Sequence, residues 1–79
     1  MGSYLKACIL VKAEPMSYRD VASKVKRFGG VTGAFPVMGR TDVVVTVEVA
    51  RIRELSELAS NIDRIRGVVA TETLIGLER

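Results

Sequence analysis

Ala34-Phe35-Pro36-Val37-Met38-Gly39-Arg40-Thr41-Asp42-Val43-Val44-Val45-Thr46-Val47-Glu48-Val49 is the stretch that decides the fold of this chain. Two β-rich runs flank Gly39-Arg40-Thr41-Asp42, whose Gly and Asp suit a tight connection, so the stretch predicts a hairpin. In the second run, taken as Asp42 to Ala50, Val43, Val45, Val47 and Val49 share one face. Asp42, Val44, Thr46 and Glu48 take the other, because successive side chains of a strand point opposite ways. A strand with one all-valine face is expected to be half-buried and central. Pro36 has no N–H to give to a ladder, so the first run, Val31 to Met38, is expected on a sheet edge.

Upstream, Tyr4 to Ala13 alternates in the same way, with Leu5, Ala7, Ile9, Val11 and Ala13 on a core face and Lys6, Cys8, Leu10 and Lys12 opposite. Glu14-Pro15-Met16 breaks that strand. Ser17 is placed to cap a helix in which Val21, Ala22, Val25 and Phe28 recur on one side, with Asp20 favouring the first turn. Gly29-Gly30 stops it. Downstream of Ala50 the period changes from two to about 3.6. Ile52, Leu55, Leu58, Ala59, Ile62 and Ile65 then form a stripe opposite Arg53, Glu54, Glu57, Asn61 and Arg64. Gly67 ends this second helix, and Val68 to Leu77 reads as a last strand whose core face the pattern leaves open.

Strand, helix, strand, strand, helix, strand, joined by short links, predicts an α+β fold of the ferredoxin-like type. Its βαββαβ order gives a four-stranded antiparallel sheet with both helices on one face. The first and third strands are then central. The second face of the sheet is expected to present Cys8, Leu10, Ala34, Met38 and Val44. An apolar sheet face of that kind is a recognition surface, and its simplest partner is a second copy of the chain.

Composition narrows the function classes. Seventy-nine residues, 48% hydrophobic and 27% charged, describe one small globular domain. A domain this small buries only about 60% of its unfolded surface, which favours self-association. Charges interrupt every apolar run well short of the roughly 20 residues of a spanning helix. Met1-Gly2-Ser3 leads straight into a strand, so a cytoplasmic protein with no targeting segment is expected. Cys8 is the one cysteine and there is no histidine, so neither an internal disulfide nor a metal or cofactor site of the usual ligands is expected. Cys8 is expected to pack as a small apolar side chain. The net charge is +3, and Lys24, Lys26 and Arg27, the densest basic cluster, have only core-assigned Phe28 beside them to stack a base. A solvated helix face, with no direct nucleic-acid binding, is the better reading.

The run Val37-Met38-Gly39-Arg40-Thr41-Asp42-Val43-Val44-Val45, then the amphipathic second helix, then Arg66-Gly67-Val68-Val69-Ala70-Thr71-Glu72-Thr73-Leu74-Ile75-Gly76-Leu77, resembles the ligand-binding and oligomerisation domain of the Lrp/AsnC transcription regulators. That domain is called RAM, for regulation of amino acid metabolism. The resemblance covers residues 4–77 as one RAM domain. It implies a homodimer built on paired sheets, of the dimeric α/β-barrel type, often assembled into a higher oligomer of dimers, with an amino-acid effector between dimers. The family's regulators carry a helix-turn-helix domain before RAM, so this chain is expected to behave like the stand-alone members. It would act alone or in mixed oligomers with full-length Lrp/AsnC regulators.

By the same resemblance, Gly39 and Asp42 match the Gly-x-x-Asp turn that contacts the effector. The Asp42 carboxylate would meet an α-ammonium group, and Gly39 would admit close backbone approach. Arg40 and Thr41 hold the variable positions of that turn, with Arg40 suited by charge to a carboxylate. Thr71 and Thr73 match the final-strand pattern and would offer hydroxyls. Each residue also has a plain structural role available: Gly39 and Asp42 as hairpin residues, Thr71 and Thr73 as β-formers, Met38 as packing. Asp42, Glu48 and Glu72 suggest paired carboxylates for acid–base work, but nothing in the sequence shows that they converge on a pocket, so no catalytic residue is assigned. A purely structural assembly module and an ACT-like amino-acid-binding domain are the alternatives. An enzyme of the small dimeric α/β-barrel group is disfavoured, since no nucleophile stands beside a base.

Overall fold

Alternating apolar residues along Leu5–Ala13 (β1) and Val43–Val49 (β3) build the centre of the molecule. The two strands pair antiparallel, Ala7 opposite Val47, Ile9 opposite Val45 and Val11 opposite Val43, which stacks these side chains on one face. All are buried, and Ile9, Val11, Val43 and Val45 are sealed from solvent. The computed structural model describes residues 4–77, so Met1-Gly2-Ser3 lies outside the described residues. Val31–Pro36 (β2) pairs with the free side of β3, and Val68–Ile75 (β4) with the free side of β1. The order is β2-β3-β1-β4, with the proline strand on an edge.

Two helices, Tyr18–Val25 (α1) and Ile52–Asp63 (α2), cover the valine face. α1 lies over β2 and β3, and α2 over β4 and β3. Val21, Ala22 and Val25 of α1 and Leu55, Leu58 and Ile62 of α2 complete the core. The βαββαβ order, antiparallel sheet and one-sided helices are the ferredoxin-like α+β fold predicted above. Among the described residues no helix is long and apolar enough to cross a membrane.

Several details depart from expectation. β2 ends at Pro36, and Met38 stands 98% exposed in the connection instead of on the sheet. Ala34 was expected on the open face but is buried under the helices. Its partner in register is Val45, a core residue, so alternation sends Phe35, opposite Val44, to the open face. The hairpin is also longer than a tight turn. Residues 37–42 link the strands, closed by the Val37 N–H donating to the Asp42 carbonyl at 2.9 Å. Ser17 occupies the N-cap position of α1, yet its hydroxyl makes no capping bond. At α2 the capping acceptor is Glu54, which takes the N–H groups of Ala50 and Arg51 at 3.0 and 3.3 Å. Phe28 and Ile65 fall just beyond their helices but still pack on the core, whereas Ile52 at the start of α2 is largely exposed. Cys8 is half-buried on the open face, opposite Thr46 and Leu74.

The pairing of β4 settles its phase. Thr71, Thr73 and Ile75 stand opposite Val11, Ile9 and Ala7, on the helix side, and Glu72 and Leu74 stand opposite Leu10 and Cys8 on the open side. Leu77 lies past the strand.

The adjacent glycines after α1 differ sharply. Gly30 has φ of 93°, and a Cβ there would come within 2.8 Å of Val49 Cγ1, while one at Gly29 would meet open space. Gly30→Ala is expected to destabilise by about 1–3 kcal/mol through backbone strain alone. Each kcal/mol lowers the melting temperature by roughly 4–8 °C in a domain this small. Gly29→Ala is expected to stay within about 1 kcal/mol of the parent. Paired thermal melts check this, and equal melting temperatures for the two variants would refute the conformational demand at Gly30.

Candidate functional site

The site grows from the place where β1 stops. The register between β1 and β4 shifts at Lys12 and Ala13, and β3 begins only at Val43, so the last amides of β1 need acceptors from outside a regular ladder. Asp42 supplies one. Its carboxylate oxygen Oδ2 accepts the Ala13 N–H at 2.8 Å, and its own N–H donates to the Val11 carbonyl at 2.9 Å. With the Val37 bond to its carbonyl, Asp42 ties the hairpin link to itself and to the end of β1. Among the described residues, Oδ2 is the carboxylate oxygen engaged in a hydrogen bond and Oδ1 accepts none.

The same link borders a groove of about 590 Å³ under the first turn of α1. Pro36, Val37, Met38, Gly39 and Asp42 line it from the hairpin, and Tyr18 and Arg19 from the helix. Gly39 has φ of 143°, a conformation that side-chain-bearing residues rarely adopt, and a Cβ there would meet open space. The glycine thus answers a backbone need and leaves the groove wall bare. The Arg19 guanidinium lies over the Tyr18 ring, 5.8 Å from its centroid.

Of the residues expected at a site, the structure brings Gly39 and Asp42 to this groove. Arg40 is exposed on the link and Thr41 is half-buried, and neither lines the groove. Thr71 and Thr73 lie elsewhere, on the helix side of edge strand β4. Thr71 donates its hydroxyl to Asp63 Oδ1 at 3.0 Å, binding β4 to the end of α2, and Thr73 faces a separate shallow groove beside Ala59 and Ser60. Tyr18 and Arg19, at the start of α1, escaped the sequence reading. The available signal was topological: the end of β1, the start of α1 and the hairpin link must all meet at one end of this fold. Among the described residues, no three His, Cys, Asp or Glu side chains gather as a metal site would require.

The double duty of Asp42 can be separated by mutation. Asp42→Asn retains an acceptor for the Ala13 N–H, whereas Asp42→Ala leaves a largely buried amide unpaired, at a cost of about 1–3 kcal/mol. Urea unfolding is expected to rank the proteins parent, then Asn, then Ala. An alanine variant as stable as the parent would refute the role of this bond in holding the hairpin.

Comparison with known proteins supplies the context for this groove. The sequence model of the family described as the Lrp/AsnC ligand binding domain matches residues 6–79. HTH-type transcriptional regulator FL11 of Pyrococcus furiosus is 30% identical over 78 residues, 99% of this chain and 52% of the relative. The chain thus spans about half the length of the curated relatives it matches. Among solved structures, E. coli AsnC superposes with a TM-score of 0.85 at 25% identity, over 95% of this chain and 52% of that one. Transcriptional regulator NMB0573 of Neisseria meningitidis, in complex with L-Met, superposes with a TM-score of 0.81 over 94% of this chain and 50% of that one. At 21% identity, that likeness speaks for the fold alone.

Proposed function

Since the chain belongs to the family of the Lrp/AsnC ligand binding domain, we propose that it is a non-enzymatic, cytoplasmic sensing module that binds a small amino-acid effector in the hairpin groove. The observation that carries this reading is the joint presence of Gly39 and Asp42 on one groove, with a carboxylate oxygen left over to accept from an ammonium group. The floor beside them is apolar, which suits the side chain of a small effector. The Neisseria regulator, which shares the fold, is in complex with L-Met, a molecule of this class.

Assembly completes the proposal. Cys8, Leu10, Phe35, Val44 and Leu74 give the uncovered face of the sheet an apolar centre, and Phe35 and Leu74 are 50% and 46% exposed. Pairing two such faces would bury them in a homodimer, and dimers would associate further, alone or with longer regulators of the family. A second reading has its own observation: the bond from Ala13 to Asp42 makes the link self-supporting, as a structural assembly module without a ligand would need.

Melting curves against the twenty amino acids distinguish the two. An effector at 100 times its dissociation constant stabilises by about 2.7 kcal/mol, several degrees in the melting temperature. That shift is expected in the parent and reduced in Asp42→Asn, whose affinity falls roughly tenfold or more with loss of the charge. No shift with any amino acid would sink the sensing role and leave the structural one. For the assembly, light scattering at micromolar concentration is expected to give at least a dimer. Leu10→Lys is expected to shift that mass toward monomer, because it places an unpaired charge in the interface.

A further inference from the structure

We infer that Arg19 is the carboxylate partner of the effector, so that the hairpin groove selects free α-amino acids with apolar side chains over their amides and amines. This rests on the proposed reading of that groove as an effector site. Arg19 lines it from α1, while Asp42 lines it from the hairpin. No acidic partner holds Arg19 among the described residues: Asp20, its neighbour, is paired with Lys24 at 3.1 Å on the exposed side of the helix. The guanidinium instead lies over the Tyr18 ring, 5.8 Å from its centroid, a contact that leaves its charge unneutralised. Pro36, Val37 and Met38 also line the groove, and none of them offers a side-chain hydrogen bond donor.

Two opposite charges on separate elements of one groove complement a zwitterion, whose ammonium and carboxylate flank one carbon bearing a side chain. A guanidinium grips a carboxylate through two parallel N–H bonds, an arrangement an uncharged amide cannot return. Arg40, on the variable part of the link, does not line the groove, so the nearby cation that does so is Arg19. The choice of an apolar side chain follows from the lining. Once Arg19 and Asp42 hold the two backbone groups, no charged side chain of the lining is left to pair with a charged effector side chain.

Calorimetric titration of the parent protein, Arg19→Gln and Arg19→Lys with L-methionine and L-leucine, and with the primary amides of each, tests the assignment. The parent is expected to bind at least one of the acids roughly tenfold or more tightly than its amide. Arg19→Gln is expected to lose that preference while binding the amide as the parent does, and Arg19→Lys to recover part of it. Asp42→Asn supplies the opposite signature, weakening acid and amide alike, since both carry the ammonium group. An Arg19→Gln protein that keeps the parent's preference for acid over amide overturns the role of Arg19 and leaves the effector groove standing. A parent protein that binds neither acids nor amides overturns the selectivity assigned to Arg19, and a melting screen with no shift for any of the twenty amino acids overturns the effector groove as well.

Discussion

The antiparallel pairing of β1 with β3 is the constraint on which the rest of the molecule depends. Its register puts Ile9, Val11, Val43, Val45 and Val47 on one face, and each such side chain contributes about 1.5–3 kcal/mol when fully buried. A shift of one residue would turn that whole set to the opposite face, so no neighbouring register competes. Both helices are recruited to this valine surface: their buried residues meet the centre of the sheet, and their charged residues are left to solvent. Because crossover connections are right-handed, both helices arrive on the same side, and the other face of the sheet is left without cover.

Where that pairing runs out, the site begins. A regular ladder would have satisfied the amide of Ala13 with a backbone carbonyl; the shift of register at Lys12 and Ala13 transfers the task to a side chain. Asp42 performs it with one oxygen, and a carboxylate has capacity beyond a single hydrogen bond. The same residue can therefore hold the hairpin in place and take part in recognition. This also explains why a glycine sits three residues earlier. The link passes through a positive φ at Gly39 before Asp42 returns to the end of β1, a conformation that suits glycine.

The parts of the fold legible in the sequence were those with a strong period. β1, β3 and α2 each bury one face against a single kind of neighbour, so alternation or a helical stripe gave their positions and inner residues. β2 and β4 were harder because they are edge strands. In β2 the register slips between Val31 and Gly33, and the residue that turns inward is alanine, too small to announce itself. In β4 the two faces, Thr71, Thr73 and Ile75 against Glu72 and Leu74, are about equally polar, and only pairing with β1 tells them apart. At the site, Gly39 and Asp42 stood close together in a recognisable turn. Tyr18 and Arg19 could not be joined to them without the topology, since more than a whole strand separates them along the chain. The hydroxyl of Thr71 had a partner, Asp63, eight residues earlier at the end of α2, and no local pattern marks such a bond.

The uncovered face has a distribution of polarity that bears on how it meets a partner. Its centre is apolar, with Leu10 opposite Val44 and Cys8 opposite Leu74, while Lys6 stands opposite Glu48 towards one end and Lys12 lies towards the other. Within it Thr32 and Thr46 share a hydrogen bond at 2.8 Å, and Thr46 also donates to the Gly33 carbonyl at 3.3 Å. These hydroxyls therefore bring their own partners with them and need none from an incoming surface, so covering them carries little desolvation penalty. Charges near the ends oppose a mate that slides along the strands, because displacement would bring a lysine or glutamate over Leu10 or Phe35. On the proposed pairing of two copies, the apolar centre would supply the attraction and the charged margins the register. The Pro36 edge would discourage the competing route, in which β2 extends the sheet into another chain through its free backbone groups.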